Sequence, residues 1–253
     1  MSFAHRFRLG FDSLQRGLGS LKQHPELKKY LILPIVIDIL VVLAVFFGLF
    51  SQLAGWINWA VGLLISPESA LFGWLYYPMW VIAGIALVVI CLYMGFVLAT
   101  IFAAPFNSLL AEKTLDLKGV DRPLGSGLAG MVMYTLRMLW LGLVKGIIFG
   151  LVAIILAILS LIPVVNILAT IGVLLIMSFD TLDYSFEALG MNLRQRFLFA
   201  EKHVPELLGI ATILGLTLVL PGLTLILLPI MIIGAGDIFS EAKSQGELDV
   251  YTR

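Results

Sequence analysis

The stretch Tyr30–Ala54 reads YLILPIVIDILVVLAVFFGLFSQLA, with Asp38 as its only charged residue. A bilayer's hydrocarbon core is roughly 30 Å thick, and a helix rising about 1.5 Å per residue crosses it in about 20 residues. The stretch is long and apolar enough, so it predicts a first membrane span over residues 30–54. Pro34 falls near its start, where proline is best tolerated. Asp38 lies about two turns in. A carboxyl at that depth is costly and faces a protein interior or a water path. It reads either as a gating or coupling group, or as an interhelical hydrogen bond or protonated acid.

Composition extends this reading to the whole chain. Of 253 residues, 60% are hydrophobic and 13% charged. A soluble domain carries roughly 25% charged residues, so lipid must solvate most of this chain. Formal net charge is zero, which gives no pull toward nucleic acid. The single cysteine, Cys91, lies in an apolar run and reads as a small packed hydrophobe. Residues 1–30 lack the apolar core and cleavage site of a signal peptide, so the first span carries insertion.

Residues 1–29 are amphipathic. Phe3, Phe7, Phe11, Leu14, Leu18 and Leu21 recur at spacings of three and four, with Arg6, Arg8, Asp12, Gln15, Arg16 and Lys22 off the stripe. The stripe predicts an interfacial helix, with two compatible uses. It can lie on the membrane with its basic face toward anionic headgroups, or pack on the protein's own helices. Gly10, Gly17 and Gly19 weaken the helix.

Residues 55–70 read as a loop or short interfacial helix with Trp56, Trp59 and one charge, Glu68. Residues 71–106 form a long apolar run opening on Trp74, Tyr76, Tyr77 and Trp80, an aromatic belt. This predicts a second span, tilted or continued beyond the bilayer. Residues 107–145 are more polar and predict cytoplasmic helices, with a stop at Gly119 and Pro123 and a joint at residues 125–130. Residues 146–180 and 206–238 resemble each other: Leu161-Ile162-Pro163-Val164-Val165 parallels Val219-Leu220-Pro221-Gly222-Leu223. Each reads as a helical hairpin folded at proline. The arms of the second, about 14 residues or about 21 Å, are too short for a full crossing. The favoured reading is two hairpins that penetrate partly, and paired proline-broken segments point to a transporter's central site. Four ordinary short spans are the alternative. Residues 239–253 form a tail. The fold class is therefore an all-α integral membrane protein, one domain over residues 1–253.

The sixteen Lys and Arg fall in four places: six from Arg6 to Lys29, five from Lys113 to Lys145, Arg194, Arg196 and Lys202 between the hairpins, and Lys243 and Arg253 in the tail. The positive-inside rule then places both termini and both connecting segments in the cytoplasm. No polar stretch is long enough for a soluble catalytic domain. His5, His24 and His203 are isolated, no ligand pair has helix-face spacing, and no Gly-rich phosphate loop is present. The expectation is no enzyme, no cofactor and no metal.

Three groups of residues remain as candidates. Leu27, Lys28 and Lys29 open the first span, where adjacent cations, free backbone N–H groups and a positive dipole end can hold an oxyanion; basic residues also simply flank most cytoplasmic helix ends. Asp180, Asp183 and Glu187 share a helix face, as partners for Arg194 or Arg196 or as a cation site. Asn107, Glu112 and Asn166 are interior polar candidates.

Ala103-Ala104-Pro105-Phe106-Asn107-Ser108-Leu109-Leu110-Ala111-Glu112 resembles the signature stretch of the CysZ family of bacterial sulfate permeases, which is related to the etoposide-induced membrane proteins. The order around it agrees: Lys28-Lys29 before Ile32-Leu33-Pro34, two proline hairpins, and Asp183-Tyr184-Ser185-Phe186 after the first. The resemblance implies two long membrane helices plus two partly penetrating hairpins, assembled as a homo-oligomer. It implies a permease carrying sulfate toward cysteine biosynthesis across the bacterial inner membrane, channel-like or facilitated, without ATP. Its sulfate site resembles a Gly-Leu-Arg-Arg turn, matched here by Glu26-Leu27-Lys28-Lys29. A membrane scaffold or lipid-interacting protein of the same fold is the rival reading, supported by the amphipathic amino-terminal segment and by Glu26.

Overall fold

The computed structural model describes residues 2–63, 65–66, 69–120, 127–217 and 221–248. Residues 218–220, Glu68, the expected stop at Pro123 and the start of the expected joint, residues 125–126, lie outside them. The described residues form helices and connecting turns, with no strand: α1 Phe3–Phe11, α2 Ser13–Gln23, α3 Leu27–Gly62, α4 Ala70–Leu117, α5 Gly127–Leu159, α6 Val165–Ala188, α7 Leu193–Lys202, α8 Val204–Thr217 and α9 Pro221–Ser244. Among the described residues, four stretches are long and apolar enough to cross a membrane: Leu27–Gly62, Leu71–Cys91, Val165–Ala188 and Leu223–Ser244. Val144–Leu159 and Val204–Thr217 are apolar but shorter. The chain is an all-α integral membrane protein.

Several helices overrun the boundaries read from sequence. α3 continues through Trp56 and Trp59 to Gly62, and α4 runs unbroken from Ala70 through Asn107 to Leu117. Composition changes at those boundaries, but the backbone hydrogen bonds do not depend on it. Neither Gly nor Pro interrupts residues 107–117.

Two compact units make up the chain. The first, Leu33–Ala104, holds most of α3 and the first part of α4. Its core joins Leu53, Ile57 and Val61 to Leu87 and Cys91, so the free thiol is a packed apolar group. Phe50 meets Trp80 edge-on, in an antiparallel register that brings Trp56 level with Trp74. Trp74 is 81% exposed and Tyr77 74%, as suits rings at a headgroup boundary.

The second unit comprises Met1–Ile32 and Pro105–Arg253. Helices α5 and α6 form one antiparallel hairpin: Phe149 meets Phe179 at 5.1 Å between ring centroids, and Leu156 packs on Gly172. Helices α8 and α9 form another, with the Thr217 and Thr224 hydroxyls 3.1 Å apart. The core joins Phe179, Phe186, Phe199 and Phe239 with Leu182, Leu189 and Ile210.

The amino-terminal segment breaks into α1 and α2 at Asp12. Both pack on the second hairpin through glycines. A Cβ built on Gly234 would fall 1.7 Å from the Ser13 carbonyl oxygen, one on Gly17 2.0 Å from that of Ile230, and one on Gly10 1.9 Å from that of Glu206. His5 reaches Glu241, Ser13 lies on Gly234 and Gly17 on Ile230, so α1 and α2 run antiparallel to α9. The buried face is Leu9, Gly10, Ser13, Gly17 and Leu21. Of the phenylalanine–leucine stripe, Leu21 is buried and Leu14 packs against the core, whereas Phe3, Phe11 and Leu18 are exposed.

Candidate functional site

Leu27 opens α3 as a buried anchor packed with Leu21, Leu110, Ile230 and Ile233. Its N–H donates to the His24 carbonyl, and that of Lys28 to the Pro25 carbonyl, each at 3.1 Å. These two donors are therefore engaged by the turn. Lys28 and Lys29 are exposed, and neither has a carboxylate partner among the described residues. Lys29 Nζ sits 4.9 Å from the Tyr30 ring centroid. Glu26, the nearest carboxylate in sequence, is turned to His24 Nδ1 at 3.2 Å. Among the described residues, the α3 start thus presents two ammonium groups free of internal salt bridges.

A second set of polar groups lies inside the same unit. Lys145 of α5 donates to Asp180 at 2.8 Å and to Asp183 at 2.6 Å, both on α6. Arg196 of α7, fully buried, donates from Nη1 to Asp183 at 2.7 Å and from Nε to the Met191 carbonyl at 2.9 Å. From α4, Ser108 donates to Glu187, and the buried Asn107 side chain bonds Tyr184. Asn107 Oδ1 has no hydrogen-bond partner. Asp180, Asp183, Tyr184 and Glu187 recur at spacings of three and four, so one face of α6 meets α4, α5 and α7 together. Local chemistry fixes α7: Asn192 and Gln195 cap each other reciprocally, side chain to backbone, at 2.7 and 3.0 Å.

The band contains Asn107, Asp180 and Asp183. Of the two partners expected for the α6 acids, Arg196 takes the role and Arg194 is exposed. Lys145, Ser108 and Tyr184 are further members whose role sequence reading did not assign. Lys145 was visible as a lone cation in an apolar run, and Ser108 adjoins Asn107. Glu112 is half-buried on α4. Asn166 lies apart, exposed on α6, where it accepts from the Thr170 hydroxyl at 3.1 Å. It stands 14 residues from Asp180, about 21 Å along the helix. Asp38 belongs to the other unit; it is buried, and its Oδ1 has no partner.

A small cleft between α1, α8 and α9 is lined by Arg6, His203, Glu206, Glu241 and Glu247. Arg6 Nε pairs with Glu206 at 2.7 Å, and Lys202 with Glu247 at 3.0 Å. Among the described residues, no group of His, Cys, Asp and Glu is arranged to hold a metal ion.

The family model described as Sulfate transporter CysZ/Etoposide-induced protein 2.4 matches residues 13–229. A protein named Sulfate transporter CysZ from Vibrio parahaemolyticus serotype O3:K6 (strain RIMD 2210633) is 35% identical over 113 residues, covering 45% of this chain and 44% of that protein. One of the same name from Vibrio atlanticus (strain LGP32) is 33% identical over 132 residues, covering 52% and 50%. The matches thus span about half the length of these curated relatives. With its membrane helices, its Ala103–Glu112 stretch on α4 and a match over most of its length, this chain belongs to the Sulfate transporter CysZ/Etoposide-induced protein 2.4 family.

Proposed function

We propose that the protein is a permease for sulfate or a related small oxyanion, working without ATP by channel-like or facilitated passage. The observation that carries the reading is the unpaired Lys28–Lys29 pair at the start of α3. The relatives named as sulfate transporters support the choice of anion.

Two unit charges about 4 Å apart in water attract by about 1 kcal/mol, so a dianion gains about 2 kcal/mol from each ammonium. The sum, about 4 kcal/mol, corresponds to a dissociation constant near 1 mM. A permeating ion needs binding of this kind, favourable enough to enter and weak enough to leave. The interior step is assigned to the band of Asn107, Ser108, Lys145, Asp180, Asp183 and Tyr184, with Glu112 and Asn166 as further polar groups of the same unit. The distribution of Lys and Arg supports an inner-membrane protein with cytoplasmic termini. Assembly as a homo-oligomer and delivery of sulfate to cysteine biosynthesis complete the proposal.

The test is radiolabelled sulfate flux into proteoliposomes, with phosphate and chloride as competitors, alongside sulfate binding to purified protein. Lys28→Ala with Lys29→Ala is expected to weaken binding at least tenfold, and rising salt to weaken wild-type binding through screening. Flux with unchanged affinity in the double variant removes the site; no flux in any anion removes the permease.

A further inference from the structure

The cleft between α1, α8 and α9 takes no part in the proposed anion path. It encloses about 70 Å³, room for roughly two water-sized groups. Three carboxylates, Glu206, Glu241 and Glu247, share its wall with the His203 ring and the Arg6 guanidinium. Acceptors therefore outnumber donors.

Two buried groups there lack a donor. Glu206 is 3% exposed. Its Oε1 accepts from Arg6 Nε at 2.7 Å, and the same guanidinium is held through Nη2 by the Lys202 carbonyl at 2.5 Å. Glu206 Oε2 has no hydrogen-bond partner among the described residues, which is costly for a buried acceptor. His203 repeats the pattern. It is 4% exposed, and its Nδ1 lies 2.9 Å from the Phe199 carbonyl. A carbonyl only accepts, so Nδ1 carries the proton and Nε2 of the neutral ring carries a lone pair. Burial, by lowering the His203 pKa, favours that neutral ring. The lone pair faces Glu247 Oε2 at 3.7 Å, acceptor against acceptor and beyond hydrogen-bond range. Glu247 Oε1 is already on Lys202.

The cleft thus calls for a positively charged donor. A divalent metal ion draws its oxygens to about 2.0–2.6 Å, and among the described residues no group of His, Cys, Asp and Glu is arranged for that. An ammonium ion reaches separate acceptors through separate N–H bonds of about 2.7–3.2 Å. We propose that this cleft binds ammonium, or the ammonium head of a primary amine, between Glu206 Oε2, Glu247 Oε2 and His203 Nε2. The ion ties the start of α8 to the segment after α9, beside the Arg6 contact of α1. The site goes beyond sulfate passage and shares no residue with Lys28, Lys29 or the buried band, so either reading can fail without the other.

The full-length protein in neutral detergent at pH 7.5 is titrated with ammonium, methylammonium or tetramethylammonium chloride, each replacing sodium chloride at constant total chloride, and its thermal midpoint is followed. An ion that binds the folded chain raises the midpoint with concentration, and the dose curve gives an apparent affinity. Ammonium and methylammonium are expected to raise it. Tetramethylammonium, equally charged but without an N–H donor, is expected to leave it unchanged. Glu206→Gln weakens ammonium about tenfold or more, the worth of one hydrogen bond to a charged group. Glu247→Gln weakens it several-fold and leaves sulfate binding intact; its side chain is 22% exposed, so this variant carries the test if Glu206→Gln does not fold. No rise with ammonium overturns the proposal. So does an equal rise with tetramethylammonium, which reduces the effect to charge alone, or an ammonium affinity unchanged in a folded variant of either glutamate.

Discussion

Arg196 is the residue on which the buried band turns. Its guanidinium has lost all contact with solvent, and it holds both Asp183 and the Met191 carbonyl. Removing one partner of a buried ion pair costs about 3–5 kcal/mol. Lys145 remains on Asp183, so Arg196→Met is expected to cost near the lower figure, read as a drop of several degrees in the thermal midpoint in detergent. Arg196→Lys recovers only part, because an ammonium lacks the fork that serves both acceptors. The Asp183 partnership was legible as a spacing, Asp180, Asp183 and Glu187 on one face with arginines close downstream. The choice of Arg196 over Arg194 was not, because it depends on which side of the short helix α7 meets α6. His203 supplies a pH effect. Its ring stacks on Phe199 at 3.9 Å and its Nδ1 donates to the Phe199 carbonyl. Burial pushes its pKa below the usual histidine value, against the weaker pull of that carbonyl and of Glu206 and Glu247. As pH falls below about 6.5, the unfolded chain takes up the proton before the folded one, so stability falls in that window and the loss ends below the folded pKa. The thermal midpoint should decline from pH 7.5 to 5.5, and His203→Gln should decline less.

Helix identity was readable from composition; helix contacts were not. The paired, proline-punctuated runs around Pro163 and Pro221 correspond to the α5–α6 and α8–α9 hairpins. The spacing of Phe3, Phe7 and Phe11 announced an amphipathic segment. Burial, however, went to the neighbouring row of Leu9, Gly10, Ser13, Gly17 and Leu21. Periodicity finds a face that avoids water, and near lipid such a face has no need of protein cover. Glycine looked like a weakness in α1 and α2 because helix propensity is a local quantity. Its use there is close approach, which needs the partner's coordinates to see. Gly234→Ala drives a methyl far inside the van der Waals contact distance of the Ser13 carbonyl oxygen and should cost at least about 1–3 kcal/mol, the usual penalty of overpacking. Gly19→Ala, with nothing within 4 Å of its added carbon, should stabilise by about 0.5–1 kcal/mol. Thermal midpoints of the two variants moving in the same direction would contradict this packing.

At the scale of the whole molecule, the membrane gives a ruler. Leu27, at the start of α3, packs level with Ile230 of α9. From Ile230 back to Pro221 is nine residues, about 14 Å of helix, under half of a roughly 30 Å hydrocarbon core. Placing Lys28 and Lys29 at the headgroups, with α9 along the membrane normal, predicts that the second hairpin ends before the far leaflet. A cysteine replacing the exposed Leu216 should react with a membrane-permeant maleimide and resist an impermeant one added to the far side. Labelling from that side would make the hairpin a full crossing. The glycine contacts between the two ends of the sequence also set a timetable. The glycine-mediated contacts of α1 and α2 are with residues 206–234, about 200 positions later in synthesis. A ribosome adding about 5–20 residues per second takes on the order of 10–40 s to deliver them. For that interval the amino-terminal helices exist without the second hairpin, and the bilayer surface can shelter their apolar residues.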